Sequence, residues 1–159
     1  MAMTRAFVVR GLRREDGATV LELARSLGRW FNAEGLSQMA RGMESYRGYV
    51  AATQNRIVGF LLWAPADLGV AELSWMGVSE EFQRRGVGTT LLSAAVAELR
   101  SAGFRTLEVS TVADSVDYEP YARTRKFYRA RGFADFRVDP GYWGAGDDRY
   151  DRLVLRRDL

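Results

Sequence analysis

The 159-residue chain contains no cysteine and no histidine. Without cysteine there is neither a disulfide nor a thiolate nucleophile. Without histidine the commonest general base and the commonest metal ligand are missing, so acid–base work falls to carboxylates, tyrosine, lysine or water, and no metal is expected. No apolar run approaches the roughly 20 residues that span a bilayer. The opening Met-Ala-Met-Thr-Arg has no apolar signal core, which makes the cytoplasm the expected compartment. Repeats, low-complexity tracts and linker-like stretches are absent as well. The length fits one domain over residues 1–159, and 47% hydrophobic with 27% charged residues is an ordinary globular balance.

What is present centres on Glu72 to Gly103. Glu72-Leu73-Ser74-Trp75-Met76-Gly77-Val78 is rich in aromatic and branched residues and reads as a strand. Leu91, Leu92, Ala95, Val96 and Leu99 recur at helical spacing, and Gly103 is placed to end that helix. Gln83-Arg84-Arg85-Gly86-Val87-Gly88-Thr89 lies between. Entering a helix through such a turn leaves N–H groups from about Arg84 to Thr89 at the positive end of the helix dipole, a site for phosphate or diphosphate. A glycine-eased turn with no ligand is the plainer reading of Gly-x-Gly alone. Leu91 stands where a dinucleotide fingerprint needs its third glycine, and the Gly-Lys-Ser/Thr of a P-loop is missing.

Around this centre the pattern alternates. A strand is expected at Arg5 to Gly11, a helix at Glu15 to Leu27 and a weaker helix at Ala33 to Tyr46. Tyr49 to Thr53 and Ile57 to Trp63 read as a hairpin that Pro65 ends. A strand at Arg105 to Thr111 returns parallel to Ala71–Val78 across the long helix. Pro120 suits the first turn of a helix carrying Tyr121, Thr124, Phe127 and Tyr128 on one side and arginines on the other. Ala134 to Val138 and Leu153 to Arg156 complete the sheet around an Asp139–Arg152 loop. The net charge is +3, with basic residues gathered at Arg123, Arg125, Lys126, Arg129 and Arg131. A solvated helix face or attraction for an anionic cofactor would each explain the cluster. No helix-turn-helix, finger or RNP pattern accompanies it, so nucleic acid is not an expected partner.

Gln83-Arg84-Arg85-Gly86-Val87-Gly88, after a strand and before an amphipathic helix, resembles motif A of the GNAT superfamily of acetyl-coenzyme A dependent N-acetyltransferases. Phe127-Tyr128, then three residues, then Gly132-Phe133 resembles motif B of the same family. The resemblance covers most of the chain. It implies a mixed α/β fold: a central twisted sheet of about six to seven strands, about four flanking helices, and a splayed parallel strand pair that binds the cofactor. It implies acetyl-coenzyme A as co-substrate and a primary amine of a small molecule or peptide as acceptor, with no membrane partner and homodimerisation open.

Carried onto this sequence, the resemblance gives a cofactor set of Met76, Gly77, Val78, Gln83, Arg84, Arg85, Gly86, Val87, Gly88 and Thr89, with Tyr121 and Arg125 from the later helix. Tyr121 stands where the family commonly has Asn, which puts a polar contact to the pantetheine arm in question. Tyr128 takes the position of the group that meets the departing sulfur, with a packed tyrosine as the alternative. Glu72 matches the place where histone-type members carry a general base; strand alternation would put it on one face with Ser74 and Met76. A water chain is the alternative base. Trp30, Phe31 and Met39 are candidate acceptor contacts or sheet cover. Asp114, Asp117, Glu119, Asp147 and Asp148 are candidate attractors of a cationic amine or ordinary turn formers. A non-catalytic acyl-coenzyme A sensor or partner-binding module of the same fold is the competing function.

Overall fold

The computed structural model describes residues 7–159. Its strands form one sheet in the order β1-β2-β3-β4-β5-β7-β6. These are β1 (Val8–Gly11), β2 (Arg47–Ala52), β3 (Ile57–Asp67), β4 (Val70–Val78), β5 (Thr106–Val112), β6 (Ala134–Trp143) and β7 (Tyr150–Asp158). The helices are α1 (Gly17–Ser26), α2 (Ala33–Gly42), α3 (Val87–Ser101) and α4 (Glu119–Arg129). Among the described residues only β4 and β5 pair in parallel, across the α3 crossover. The mixed α/β fold expected from the resemblance is the fold observed. The start of the first expected strand, Arg5 and Ala6, lies outside the described residues.

The sheet is covered on both faces. Leu91, Leu92, Ala95, Val96 and Leu99 of α3 and Tyr128 of α4 are buried against Ala71, Leu73, Leu107, Val109, Leu153 and Leu155 on one face. Val20 and Ala24 of α1 and Met39 of α2 are buried against Val50, Phe60 and Leu62 on the other. Each fully buried leucine contributes about 2 kcal/mol in transfer terms. Helix ends follow local chemistry. The Asn32 side chain accepts the Gly35 N–H at 2.8 Å and starts α2. Gly103, at φ 90°, closes α3 as the Phe104 N–H donates to the Leu99 carbonyl at 3.0 Å.

Two expected strand ends are corrected. Pro65 does not stop β3, which pairs on through Pro65↔Ala71 to Asp67↔Val70. The β2–β3 register ends at Arg47↔Trp63, so beyond Trp63 one edge of β3 has no strand awaiting an N–H. Likewise β6 runs through Pro140 to Trp143, and β7 begins at Tyr150, where a long loop was expected. β6 is the edge of the sheet, and an irregularity between Asp139 and Trp143 absorbs Pro140 and Gly141.

The irregularity that matters most is in β4. Register passes from Leu62↔Trp75 to Trp63↔Leu73, so Ser74 is an extra residue, a β-bulge. The bulge exchanges the faces of the strand. Leu73 packs toward α3, whereas Trp75 packs toward α1 and α2, and Met76 and Val78 return to the α3 side.

Candidate active site

The parallel pairing of β4 and β5 runs from Val70↔Thr106 to Leu73↔Val109 and stops there, although both strands continue. From the bulge onward β4 is held only by β3, which follows it to Gly59↔Val78. The β5-facing backbone of Ser74 to Val78 therefore lines an opening in the sheet. A cleft of about 820 Å³ occupies it, lined by Met76, Val78, Val109 and Thr111 of one face and by Trp75 and Ser110 of the other.

The turn after β4 forms the next wall. Gln83 Nε2 donates to the Val78 carbonyl at 3.0 Å and ties the turn to the strand end. Arg84 at φ 64° and Gly86 at φ 83° both take the left-handed conformation, and Gly86 caps α3. For arginine that conformation costs on the order of 1 kcal/mol, strain of the kind that gathers at functional sites. The first hydrogen bond of α3 is from the Thr90 N–H to the Gly86 carbonyl at 3.0 Å. The N–H groups from Arg84 to Thr89 have no acceptor among the described residues. Arg84, Gly86, Val87, Gly88 and Thr89 all line the cleft. A Cβ on Gly86 would meet nothing within 4 Å, whereas one on Gly88 would stand 3.1 Å from the Phe127 ring. Gly88 is thus the point where α3 and α4 approach closely.

Helix α4 supplies the opposite wall. Tyr128 is 5% exposed, and its ring packs edge-on to Phe133 at 5.3 Å. Its hydroxyl bonds to no protein group among the described residues, and burial pushes its pKa upward. Arg123, Phe127 and Arg131 follow at four-residue spacing and all line the cleft, together with Lys126. Arg131 lies 3.8 Å over the Phe127 ring and donates to Thr89 Oγ1 at 2.9 Å, joining the end of α4 to the turn. That four-residue spacing was the signal that could have placed Arg123 and Arg131 in the site.

Tyr121 also lines the cleft, its pKa raised first by burial and then by the neighbouring Tyr150 and Tyr118 phenols. Arg125 does not. It is 5% exposed, donates to the Val112 and Ala113 carbonyls at 2.7 and 3.3 Å, and pairs with Asp114 at 3.4 Å. Tyr121, Arg125 and Tyr128 lie at helical spacing, so Arg125 points inward and fastens α4 to the end of β5 instead of facing a cofactor. Arg85 is likewise outside the lining, its guanidinium 5.2 Å over the Phe82 ring. Gly77 lines the cleft, but its glycine requirement comes from elsewhere. A Cβ there would come within 2.9 Å of Leu27 and Phe60, so the close approach is to α1 and β3.

The bulge also corrects the placing of Glu72, which is on the face of Trp75 and Ser110 and opposite to Met76. In register it pairs directly with Glu108, and it is half-buried. Burial, then the Glu108 charge, raises its pKa from the ordinary carboxylate value, with Arg152 opposing. Glu72 does not itself line the cleft. Ser110, on the same face as Glu108 and two residues further along β5, does line it. Ser110 thus stands about 7 Å further along the strand than the Glu72–Glu108 pair.

Of the three candidate acceptor contacts, Trp30 and Phe31 line the cleft, while Met39 is wholly buried in the core. Trp30 Nε1 donates to the Pro120 carbonyl at 3.2 Å, and the Tyr118 hydroxyl donates to the Arg29 carbonyl at 3.1 Å; these bonds clamp the α1–α2 segment onto the start of α4. None of Asp114, Asp117, Glu119, Asp147 or Asp148 lines the cleft. Asp114 is bonded to Arg129, and Glu119 to Arg123. The carboxylate that does line it is Glu34, in the first turn of α2. The β6–β7 end contributes Trp143 and Tyr150, where sequence patterns had indicated only a loop.

The fold has clear counterparts among solved structures. A GNAT-family protein from Desulfovibrio desulfuricans superposes with a TM-score of 0.82 at 24% identity, covering 96% of this chain and 99% of that one. The ribosomal-protein-S18-alanine N-acetyltransferase of Escherichia coli gives 0.76 at 20% identity, with 96% and 94% covered. A GNAT family acetyltransferase from Elizabethkingia anophelis, solved with acetyl-CoA bound, gives 0.72 at 18% identity, with 98% and 100% covered. At these identities the likeness is one of fold. The sequence itself matches the Acetyltransferase (GNAT) family over residues 18–133, nearly the whole span from the first helix to motif B, and the chain belongs to that family.

Proposed function

We propose that this chain, acting as a single catalytic domain, moves the acetyl group of acetyl-coenzyme A to the nitrogen of a primary amine by direct attack in a complex that holds both. The observation that carries this reading is the opening between β4 and β5, walled by unpaired β4 backbone, by the N–H groups of the Arg84–Thr89 turn and by the Tyr128 hydroxyl. The residues fit the cofactor. An extended pantetheine arm can complete the β4 edge as a further strand would, and its diphosphate suits the turn and the helix dipole behind it. Arg84, Lys126 and Arg131 add positive charge at the same wall. When bound, acetyl-coenzyme A supplies an acyl group activated as a thioester.

The chain's own groups then divide the chemistry. The backbone N–H groups on the free edge of β4 polarise the acyl oxygen, a role worth on the order of 3 kcal/mol per donor. The amine nitrogen forms its bond to the acyl carbon as the carbon–sulfur bond breaks. Tyr128, held protonated by burial, donates its hydroxyl hydrogen bond to the sulfur as negative charge develops there. The proton lost by the amine passes through water near Ser110 to Glu72, whose carboxylate is made more basic by burial and by the Glu108 charge.

The test is coenzyme A release over a panel of primary amines, with an amine-free control. Transfer that saturates in both substrates, with intersecting double-reciprocal lines, is the expected result. Acetyl-coenzyme A binding with no turnover on any amine would overturn the proposal in favour of a non-catalytic sensor.

A further inference from the structure

The charges lining the cleft are sorted by element. The turn carries the cation Arg84, α4 carries Arg123 and Lys126, and Arg131 follows just past the end of α4. The lone carboxylate among the described lining residues is Glu34, exposed on the first turn of α2 and in no ion pair among the described residues. Near it the lining is aromatic. Trp30 and Phe31 come from the α1–α2 segment, Trp75 from the bulge, and Trp143 and Tyr150 from the β6–β7 end.

These rings are fixed and their polar handles are partly spent. Trp75 Nε1 donates to Tyr46 Oη at 3.0 Å, and its ring leans on Phe31 at 6.1 Å. Trp30 Nε1 is bonded to the Pro120 carbonyl. Trp143 and Tyr150 hold each other at 5.8 Å. What Trp30 and Trp75 offer the cleft is therefore apolar ring surface rather than hydrogen-bond donors. Rigid, half-buried aromatic walls select a flat apolar guest. A polyamine would need several carboxylates, and the described lining offers one.

We propose that the acceptor half of this cleft takes a primary amine with a single positive charge carried on an aromatic body, the rings holding the body and Glu34 meeting the ammonium group on entry. The identity of the reaction rests on the transferase reading; the recognition does not. The experiment measures, for the whole chain with coenzyme A bound, the affinity of 2-phenylethylamine, hexylamine and spermidine by calorimetry, and kcat/KM for the same amines with acetyl-coenzyme A. The aromatic amine should bind at least roughly tenfold more tightly than either competitor. Glu34→Gln and Trp143→Ala should each weaken it by roughly tenfold while leaving coenzyme A affinity unchanged. A dipeptide beginning with phenylalanine separates the two sources of this chemistry: equal binding points to a chain terminus, much weaker binding to a free small amine. Spermidine or hexylamine bound as well as the aromatic amine, or both variants indistinguishable from the parent, would overturn the proposal. Aromatic binding that depends on Glu34 without any coenzyme A release would instead sink the transferase reading and leave the recognition standing.

Discussion

Tyr128→Phe separates chemistry from packing with one atom. The side chain is buried, its ring rests on Phe133, and its hydroxyl bonds to no protein group among the described residues. Removing that oxygen breaks no internal hydrogen bond and leaves the ring contacts in place. Because Tyr128 lines the open cleft and its hydroxyl holds no other part of the protein, the variant should be about as stable as the parent. If the hydroxyl stabilises charge on sulfur, its loss should lower kcat by roughly 100-fold, which is about 2.7 kcal/mol of transition-state energy, with little change in acetyl-coenzyme A affinity. The paired assays are thermal unfolding and steady-state kinetics across pH. Because burial raises the folded pKa above the usual value near 10, Tyr128 should cause no descending kcat limb below that pH. The same raised pKa means that the fold disfavours the phenolate, so stability is unaffected below about pH 10 and falls as pH rises above it, a loss the Phe variant should lack. A variant that is fully active but less stable would refute the assignment and return Tyr128 to packing.

Glu72→Gln should lose rate at neutral pH and recover part of it as rising pH deprotonates the amine in solution; equal slowing at every pH would make Glu72 a positioning group. Since its folded pKa is raised, ionised Glu72 is disfavoured in the fold, so the variant should be more stable than the parent at pH 7, with the gain vanishing below about pH 4. Gly88→Val would press on Phe127 from 3.1 Å and disturb the α3–α4 contact beside the turn, raising the acetyl-coenzyme A dissociation constant measured by calorimetry; an unchanged constant in folded protein would remove the phosphate-turn assignment. Arg125→Met strips two carbonyls of their buried donor and should lower stability by about 2–4 kcal/mol in denaturant unfolding, while a weakened cofactor affinity at unchanged stability would contradict its structural role.

The parts of the site readable from sequence were those set by local backbone chemistry. Gly86 and Gly88 between a strand and an amphipathic helix specify a turn with outward N–H groups whatever surrounds them. Side chains whose role depends on tertiary partners were less legible. Arg125 looked like one more member of a basic cluster, and only the Val112 and Ala113 carbonyls at the end of β5 make it a buried fastener. Trp143 and Tyr150 were hidden by Pro140 and Gly141, which suggest a loop but are tolerated on an edge strand. Glu34 had no pattern to announce it. It matters because α2 lies over Trp75, where Gly35 leaves room for the indole: a Cβ there would stand 3.6 Å from that ring.

The bulge at Ser74 explains why strand alternation failed at the point where the site begins. In an unbroken strand, Leu73 and Trp75 would share a face, and Glu72 would share one with Met76. One extra residue sends Leu73 and Trp75 to opposite faces and ends the pairing with β5 at Val109. Beyond it Met76 and Val78 face α3 and α4, beside the turn and Tyr128, while Trp75 faces α1 and α2, beside Glu34. The same irregularity therefore opens the sheet, frees the β4 edge, and assigns the two faces of the opening to different partners. Glu72 precedes the bulge and Ser110 lies across the gap from it, so both belong to the Trp75 face. The proposed proton path from the amine to Glu72 would thus run on the Trp75 face, away from the cations that line the α4 wall.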